Sequence, residues 1–186
     1  VTVEYDTKGD VIKHYYPYHK LNTNEVSSAK VRDGATKNFF TSGDPRGVGF
    51  FGQTKCTTNR YITVTEGELD AMSVIEMTGR KWDVVSLRTG ASGAAKEFKE
   101  QLEWLESYDT VVICFDNDKA GEEAIDQVKD LFSPDKLKIC RLPMKDASDL
   151  LVANKVKEFT QCWWNAKVYR PDGIIAGTDT LENLVE

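Results

Sequence analysis

Two aspartates one residue apart close an apolar run in Ile113-Cys114-Phe115-Asp116-Asn117-Asp118-Lys119-Ala120-Gly121. A helical pattern follows at once. Upstream, Val64-Thr65-Glu66-Gly67-Glu68-Leu69-Asp70 repeats the layout, a β-rich run that ends in acids and passes into a helix. Two strand ends that deliver carboxylates to one rim of a sheet make a site for a hard divalent cation. Such an ion takes a few carboxylates and leaves its other positions to water and phosphate oxygens. Glu66, Asp116 and Asp118 are the expected ligands. Asp70, four residues beyond Glu66, lies near the same rim if a helix starts near Gly67, and Gly67 is expected to let the backbone turn sharply. Asp146, in Lys145-Asp146-Ala147-Ser148-Asp149-Leu150, is a further candidate acid. The competing reading is helix capping, a common role for Asp ahead of a helix. It explains one of Asp116 and Asp118 well and both poorly, leaves Glu66 unexplained, and stands as an equal alternative for Asp146.

Groups that could hold phosphate lie nearby in the pattern. Arg88-Thr89-Gly90-Ala91-Ser92-Gly93 joins a strand to a helix. Its small residues let backbone N–H groups approach an anion at the helix start, although many such loops are rich in Gly and Ser. Lys30-Val31-Arg32-Asp33 precedes Thr36-Lys37-Asn38-Phe39-Phe40. In a strand, Lys30 and Arg32 point to one face, where two cations could grip a triphosphate or a template backbone. The alternative is an edge strand protected by its charge. His14 and His19 flank Tyr15, Tyr16 and Tyr18, where bases could stack or where a half-buried sheet surface lies.

The elements that must position these residues follow two grammars. Residues 1–58 read as a small β-rich subdomain: Val1, Val3 and Tyr5 alternate with polar residues, Asp6-Thr7-Lys8-Gly9-Asp10 turns, and Val11 to Tyr16 returns. Val26 to Val31 is a further strand, and residues 42–47 are a loop. From residue 59 to 150, strands and helices alternate. Strands are expected over 61–65, 83–87, 109–115 and 137–142, and helices over 68–78, 94–106 and 120–132. Three β-α-β steps imply an α/β fold, a mainly parallel sheet with helices on both faces. Residues 151–168 belong to a C-terminal helix, expected over 149–166 with Val156, Phe159 and Trp163 on one side. Pro171-Asp172-Gly173 then breaks the pattern, and 169–186 reads as a linker towards a further domain.

Composition sets the bounds. With 186 residues, 40% of them hydrophobic, the chain can bury one core. It begins at Val1 without a Met, as a piece of a longer protein would. No apolar run approaches the roughly 20 residues of a membrane span, so no membrane partner is expected. Cys56, Cys114, Cys140 and Cys162 form no CxxC pair, which fits reduced thiols in a cytoplasmic protein. The net charge of −6 hides a split, +3 over residues 1–60 and −9 over 61–186. A mildly basic segment on an acidic body suits cation-holding carboxylates beside phosphate-holding bases, or simply an uneven surface.

These motifs together resemble a known family. Thr63 to Asp70, Ser86-Leu87 with Gly90-Ala91-Ser92, Phe115 to Gly121, Lys145 to Leu150, the upstream Lys30 to Asp33 with Lys37-Asn38-Phe39, and Phe51-Gly52 are similar to the TOPRIM RNA-polymerase part of bifunctional phage primase-helicases of the T-odd type. Relatives of that family include the mitochondrial replicative helicase. The Trp164-Asn165-Ala166 and Pro171-Asp172-Gly173 run looks like its exit into the helicase linker. The resemblance implies a TOPRIM fold behind the β-rich subdomain, and a DNA primase that joins ribonucleotides into short primers on single-stranded DNA. It implies Mg²⁺, with Mn²⁺ able to substitute, held by Glu66, Asp116 and Asp118 and supported by Asp70 and Asp146. It implies that Lys30 and Lys37 serve catalysis, and that Lys30, Arg32, Lys37, Asn38, Arg88 and Ser92 contact nucleotide or template. The implied partners are the template, ribonucleoside triphosphates, a covalently linked helicase domain and a zinc-binding module; the implied place is the cytoplasm of a phage-infected host.

The chain departs from the family pattern in carrying no zinc-binding module, no helical portion ahead of Val1 and no GxxxxGK[ST] phosphate loop. Other readings are another TOPRIM metal enzyme (a nuclease or topoisomerase fragment) or a non-catalytic module that loads DNA into a replicative helicase.

Overall fold

The computed structural model describes residues 1–57 and 60–171. The leading segment forms one antiparallel sheet of β1 (Thr2–Tyr5), β2 (Val11–His19), β3 (Val26–Asp33) and β4 (Phe39–Gly43), in that spatial order. Strand β4 takes in Ser42 and Gly43, expected as loop, because both still pair with Ala29 and Ser28 of β3. Gly43 has φ 87°, and a side chain there would run into the carbonyl of Ser27, so glycine lets the two strands stay paired to their end.

The second sheet has the order β6-β5-β7-β8-β9, built from β5 (Tyr61–Thr65), β6 (Asp83–Ser86), β7 (Thr110–Cys114), β8 (Leu137–Ile139) and β9 (Lys167–Val168). The first four run parallel, and β9 closes the β8 edge antiparallel. Five helices link them: α1 (Glu68–Met77), α2 (Ala94–Glu106), α3 (Lys119–Val128), α4 (Ala147–Val152) and α5 (Val156–Trp164). Strand alternation sorts the core onto the two faces. Ile62, Val64, Val111 and Ile113 pack with Phe98 and Leu105 of α2 and Ile125 of α3. Val112 and Cys114 pack on the other face with Val74 of α1, Leu150 of α4 and Phe159 of α5. The expected mainly parallel sheet with helices on both faces is present, behind the antiparallel sheet.

Three expectations change. The single helix over 149–166 is two helices. Asp146 starts α4 earlier, and Asn154 at φ 56° ends the pair's continuity, since a left-handed residue cannot pass the helix on. The strand expected over 137–142 stops at Ile139, and the helix expected to Phe132 ends at Val128 in a 3-10 turn. Strand β9 was not foreseen, because two residues carry no periodicity. The turn beyond Pro171 and the rest of the expected linker lie outside the described residues, as do residues 58 and 59, where the two sheets' segments meet in sequence.

Helix α5 is part of the core rather than an appendage. Phe159 is fully buried, and the indole N–H of Trp163 donates to Thr63 Oγ1 in the middle of β5 at 2.9 Å. Phe159→Ala should therefore cost about 3–5 kcal/mol in urea unfolding, the range for a fully buried aromatic. A loss below about 1 kcal/mol would show that α5 merely rests on the sheet.

Candidate metal centre

Strands β5 and β7 are parallel neighbours, with Thr65 opposite Cys114. Glu66 and Asp116 therefore leave the same rim, one and two residues past the strand ends. A cavity of about 400 Å³ opens there, lined by Glu66, Asp70, Asp116, Gly90, Lys30 and Phe39 among others. Ligands of open α/β sheets collect at such carboxyl ends. Asp70 sits in the first turn of α1, with Oδ1 accepting from the N–H of Ser148 at 3.0 Å. Asp118 and Asp146 are the N-caps of α3 and α4, accepting through Oδ1 from Gly121 N–H at 3.0 Å and Asp149 N–H at 2.8 Å. The capping reading thus holds for Asp118 and Asp146, and leaves Glu66 and Asp116 without a structural duty of that kind.

Two glycines give the acids their room. Gly67 is extended (φ −122°), so it makes no sharp left-handed turn as expected; a Cβ there would instead stand 3.0 Å from Asp70 Oδ2. Gly121, in the first turn of α3, packs so closely on Asp116 that a Cβ would overlap its carbonyl oxygen. Asp116 is thereby fixed against the helix that Asp118 caps.

The electrostatics tie the acids together. Asp116 is pushed from the ordinary 3.8 up to about 7, first by burial, then by the charges of Glu66, Asp70 and Asp146, with Lys145 opposing. Asp70 rises to about 6, first by burial, with Asp146 and Glu66 adding and the Ser148 N–H opposing. Glu66 is also raised, by burial before the charge of Asp118, while the N–H of Ala91 opposes. Glu66, Asp70 and Asp116 therefore resist full ionisation together, in a field to which Asp118 and Asp146 add their charge.

Glu66 carries the clearest sign of a missing partner. Its Oε1 accepts from Ala91 N–H at 3.3 Å, while Oε2 is buried with no hydrogen-bond partner. A buried unpaired oxygen costs free energy unless something polar completes it. Among the described residues, no three His, Cys, Asp or Glu side chains stand closed around a point where an ion would sit. The donor set is all carboxylate, and Glu66, Asp70 and Asp116 line one cavity and repel one another. That chemistry fits a hard divalent cation that keeps open positions.

The basic residues divide. Lys30 lines the acid cavity, but its ammonium is held 3.0 Å from Glu68 Oε1 and donates to the carbonyl of Arg88 at 3.1 Å. Glu68 is buried and also accepts from the hydroxyl of Tyr18 at 2.7 Å. Arg88 is tied into the fold: Nε lies 3.3 Å from buried Glu97, and Nη2 2.8 Å from Glu100. Glu97 also takes the N–H groups of Arg88 and Thr89 and the hydroxyl of Thr89. Arg32 makes no ion pair among the described residues, and its guanidinium stands 5.9 Å from the ring of Phe39. Lys37 and Asn38 lie in the exposed β3–β4 turn, and Ser92 is exposed on a 3-10 turn before α2; none of the three lines the acid cavity. Reasoning from sequence missed Glu68, Glu97 and the cavity position of Phe39. Their one local signal is an acid in the first turn of each helix.

Asp116 keeps a proton in the folded chain over a pH range where the unfolded chain has released it. Asp116 therefore contributes stability at low pH that the metal-free fold loses as pH rises from about 4 to about 7. Asp116→Asn should flatten that slope and raise the thermal midpoint at pH 8, as melting curves across pH in a chelator would show. An unchanged slope would contradict the crowding. Gly121→Ala should cost about 1–3 kcal/mol by overpacking against Asp116, measured by the same unfolding.

Comparison with known proteins gives a consistent picture. A family described as Toprim-like matches residues 63–151. The chain is 32% identical over 161 residues to the DNA helicase/primase of Enterobacteria phage T3, covering 87% of this chain and 28% of that protein's length. It superposes on the primase fragment of the Bacteriophage T7 primase-helicase protein with TM-score 0.76 and 31% identity, over 86% of this chain and 65% of that one. A chain in the structure of the bacteriophage T7 lagging-strand DNA polymerase interacting with primase domains, bound to an RNA/DNA hybrid and dTTP, gives TM-score 0.77 and 33% identity, over 84% of this chain and 79% of that one.

Proposed function

The chain belongs to the Toprim-like primases of phage primase-helicases, and from that premise we propose that it joins ribonucleotides into short RNA primers on a single-stranded DNA template. The observation that carries the reading is the acid rim, where Glu66 Oε2 is buried without a partner on a cavity shared with Asp70, Asp116 and Lys30. Mg²⁺, or Mn²⁺ in its place, is the proposed cofactor. When bound, such ions supply charge that makes the primer's 3′-hydroxyl a better nucleophile and steadies the departing pyrophosphate.

Glu66 and Asp116 hold the ions, with Asp118 offering the oxygen its cap leaves over. Asp70 and Asp146 set the field around them. Lys30 serves from the opposite wall. Its pairing with Glu68 keeps the ammonium in one place, so it meets a phosphate without first losing rotamer freedom. Arg32 brings an unpaired cation to the same face. The proposed contacts at Lys37 and Asn38 act further out, along the strand turn, on template backbone. Arg88 shapes the loop through Glu97, and its carbonyl, with Glu68, fixes Lys30. Ser92 is the remaining proposed nucleotide contact, from the loop side.

The chain spans 28% of the length of its curated relative. A linked helicase domain, a zinc-binding module that reads the template and a workplace in the cytoplasm of the infected cell belong to the proposal for the whole protein. No helix among the described residues is long and apolar enough to cross a membrane.

Incorporation of labelled ribonucleotides on single-stranded DNA, with Mg²⁺ or Mn²⁺, tests the reading. Glu66→Gln and Asp116→Asn should each lower synthesis by more than about 100-fold, beyond the 10–100-fold typical of a group that only supports a ligand, with circular dichroism unchanged. Product from both variants at the wild-type rate would remove the acid rim from catalysis. Cleavage of the DNA in place of synthesis would assign a nuclease.

A further inference from the structure

Phe39 stands out among the apolar residues that the core does not use. It is 52% exposed at the start of β4, the strand that ends its sheet with one edge unpaired among the described residues. Its neighbour Phe40 is equally exposed. Strand alternation turns the two rings to opposite faces. Phe40 pairs with Val31, on the face away from the acids; Phe39 pairs with Arg32 and lines the cavity with Glu66 and Asp116. A half-exposed aromatic ring at the wall of this acidic cavity gains little from burial there.

Its surroundings give it a use. The Lys30 ammonium lies 4.8 Å from the ring centroid, and the Arg32 guanidinium 5.9 Å away. Two cations within about 6 Å hold the ring by attraction to its π-face. Half the residue's surface still remains open. A flat, fixed aromatic surface with cations beside it is the arrangement that takes a nucleobase by stacking while the charges take the attached phosphates. Arg32, without a carboxylate partner among the described residues, has charge left for a phosphate; Lys30, shared with Glu68, has less. Of the other rings on this face, Tyr18 is buried and donates to Glu68, Tyr16 is 1% exposed, and His14 is stacked on Tyr16.

We propose that Phe39 is the stacking platform for a nucleobase at the mouth of the acid cavity, with Arg32 as the cation for its phosphate. The proposal rests on the primase reading for what the base belongs to, a template strand or an incoming nucleotide. It positions that base and takes no part in bond making.

The test is binding, so that it can fail separately from synthesis. Single-stranded oligonucleotides carrying 2-aminopurine, and matched oligonucleotides with abasic sites, are titrated against the 186-residue chain, with ATP titrated in a second arm. Wild type should prefer the base-bearing strand, and Phe39→Ala should weaken binding about 10-fold, within the range for one base stack, in the oligonucleotide arm, the ATP arm or both. The affected arm identifies the source of the base. Phe39→Trp should restore binding, Phe40→Ala should leave it unchanged, and Mn²⁺ binding should be the same in all variants. If Phe39→Ala binds base-bearing DNA and ATP as wild type does, the platform is refuted; no wild-type preference for a base over an abasic site, with ATP binding weakened in Phe39→Ala, assigns the base to the incoming nucleotide. Neither result would touch the acid variants' loss of synthesis.

Discussion

Carboxylates crowded at one rim of a parallel sheet are the constraint around which this molecule is built. Five acids come from three segments of the chain, and burial together with the charges of Glu66, Asp70 and Asp146 pushes Asp116 up to about 7. Nothing in a folding chain gathers like charges for their own sake, since each adds repulsion and loses water. The sheet must therefore be stable enough to carry them. It is: Ile62, Val64, Val85, Val111 and Ile113 are fully buried, and helices cover both faces. The repulsion at the rim is what a bound cation would relieve.

The second requirement is to set the antiparallel sheet against that rim at a fixed angle. One buried acid does much of this. Glu68, immediately beyond Glu66 and Gly67, lines the same cavity and takes both Lys30 and Tyr18 from the other sheet. A buried carboxylate left without its cation is costly by several kcal/mol, so this junction favours one docking of the two sheets. Tyr16 and Tyr18 add apolar contact by packing edge-on against Phe51. The loop before α2 is braced in the same manner by Glu97, which satisfies two backbone N–H groups, a hydroxyl and a guanidinium at once. Two acids in first helical turns thus hold the walls of the cavity, while two others, Asp118 and Asp146, cap helices beside it.

Capping and metal holding compete as readings of the sequence, but the cap in the molecule leaves the other carboxyl oxygen free for the second role. Asp118 and Asp146 use one oxygen for the helix and face the common field with the rest of the carboxyl. The cap gives such a side chain a single rotamer, and the helix end, with its unsatisfied N–H groups, steadies the negative charge. An acid that is both cap and candidate ligand is pre-positioned at no further entropic cost.

Much of this was legible in the sequence because it is local. Strand runs that end in Glu66 and Asp116, helix patterns from 68, 94 and 120, and the alternation of Lys30 and Arg32 are all properties of neighbouring residues. They determined the sheet and its acidic rim. What only the tertiary structure decided are the meetings of residues far apart along the chain. Lys30 found Glu68 across 38 positions, Trp163 found Thr63 across 100, and Asp70 found Ser148 across 78. Arg88, which reads as a phosphate ligand, lines the cavity while it is paired with Glu97 and Glu100; Phe39, which the sequence offers only as part of the Lys37-Asn38-Phe39 motif, comes to line the same cavity. Local pattern fixes the direction of each side chain from its own element. Which group waits at the other end depends on how the elements dock, and that is set by the whole core at once.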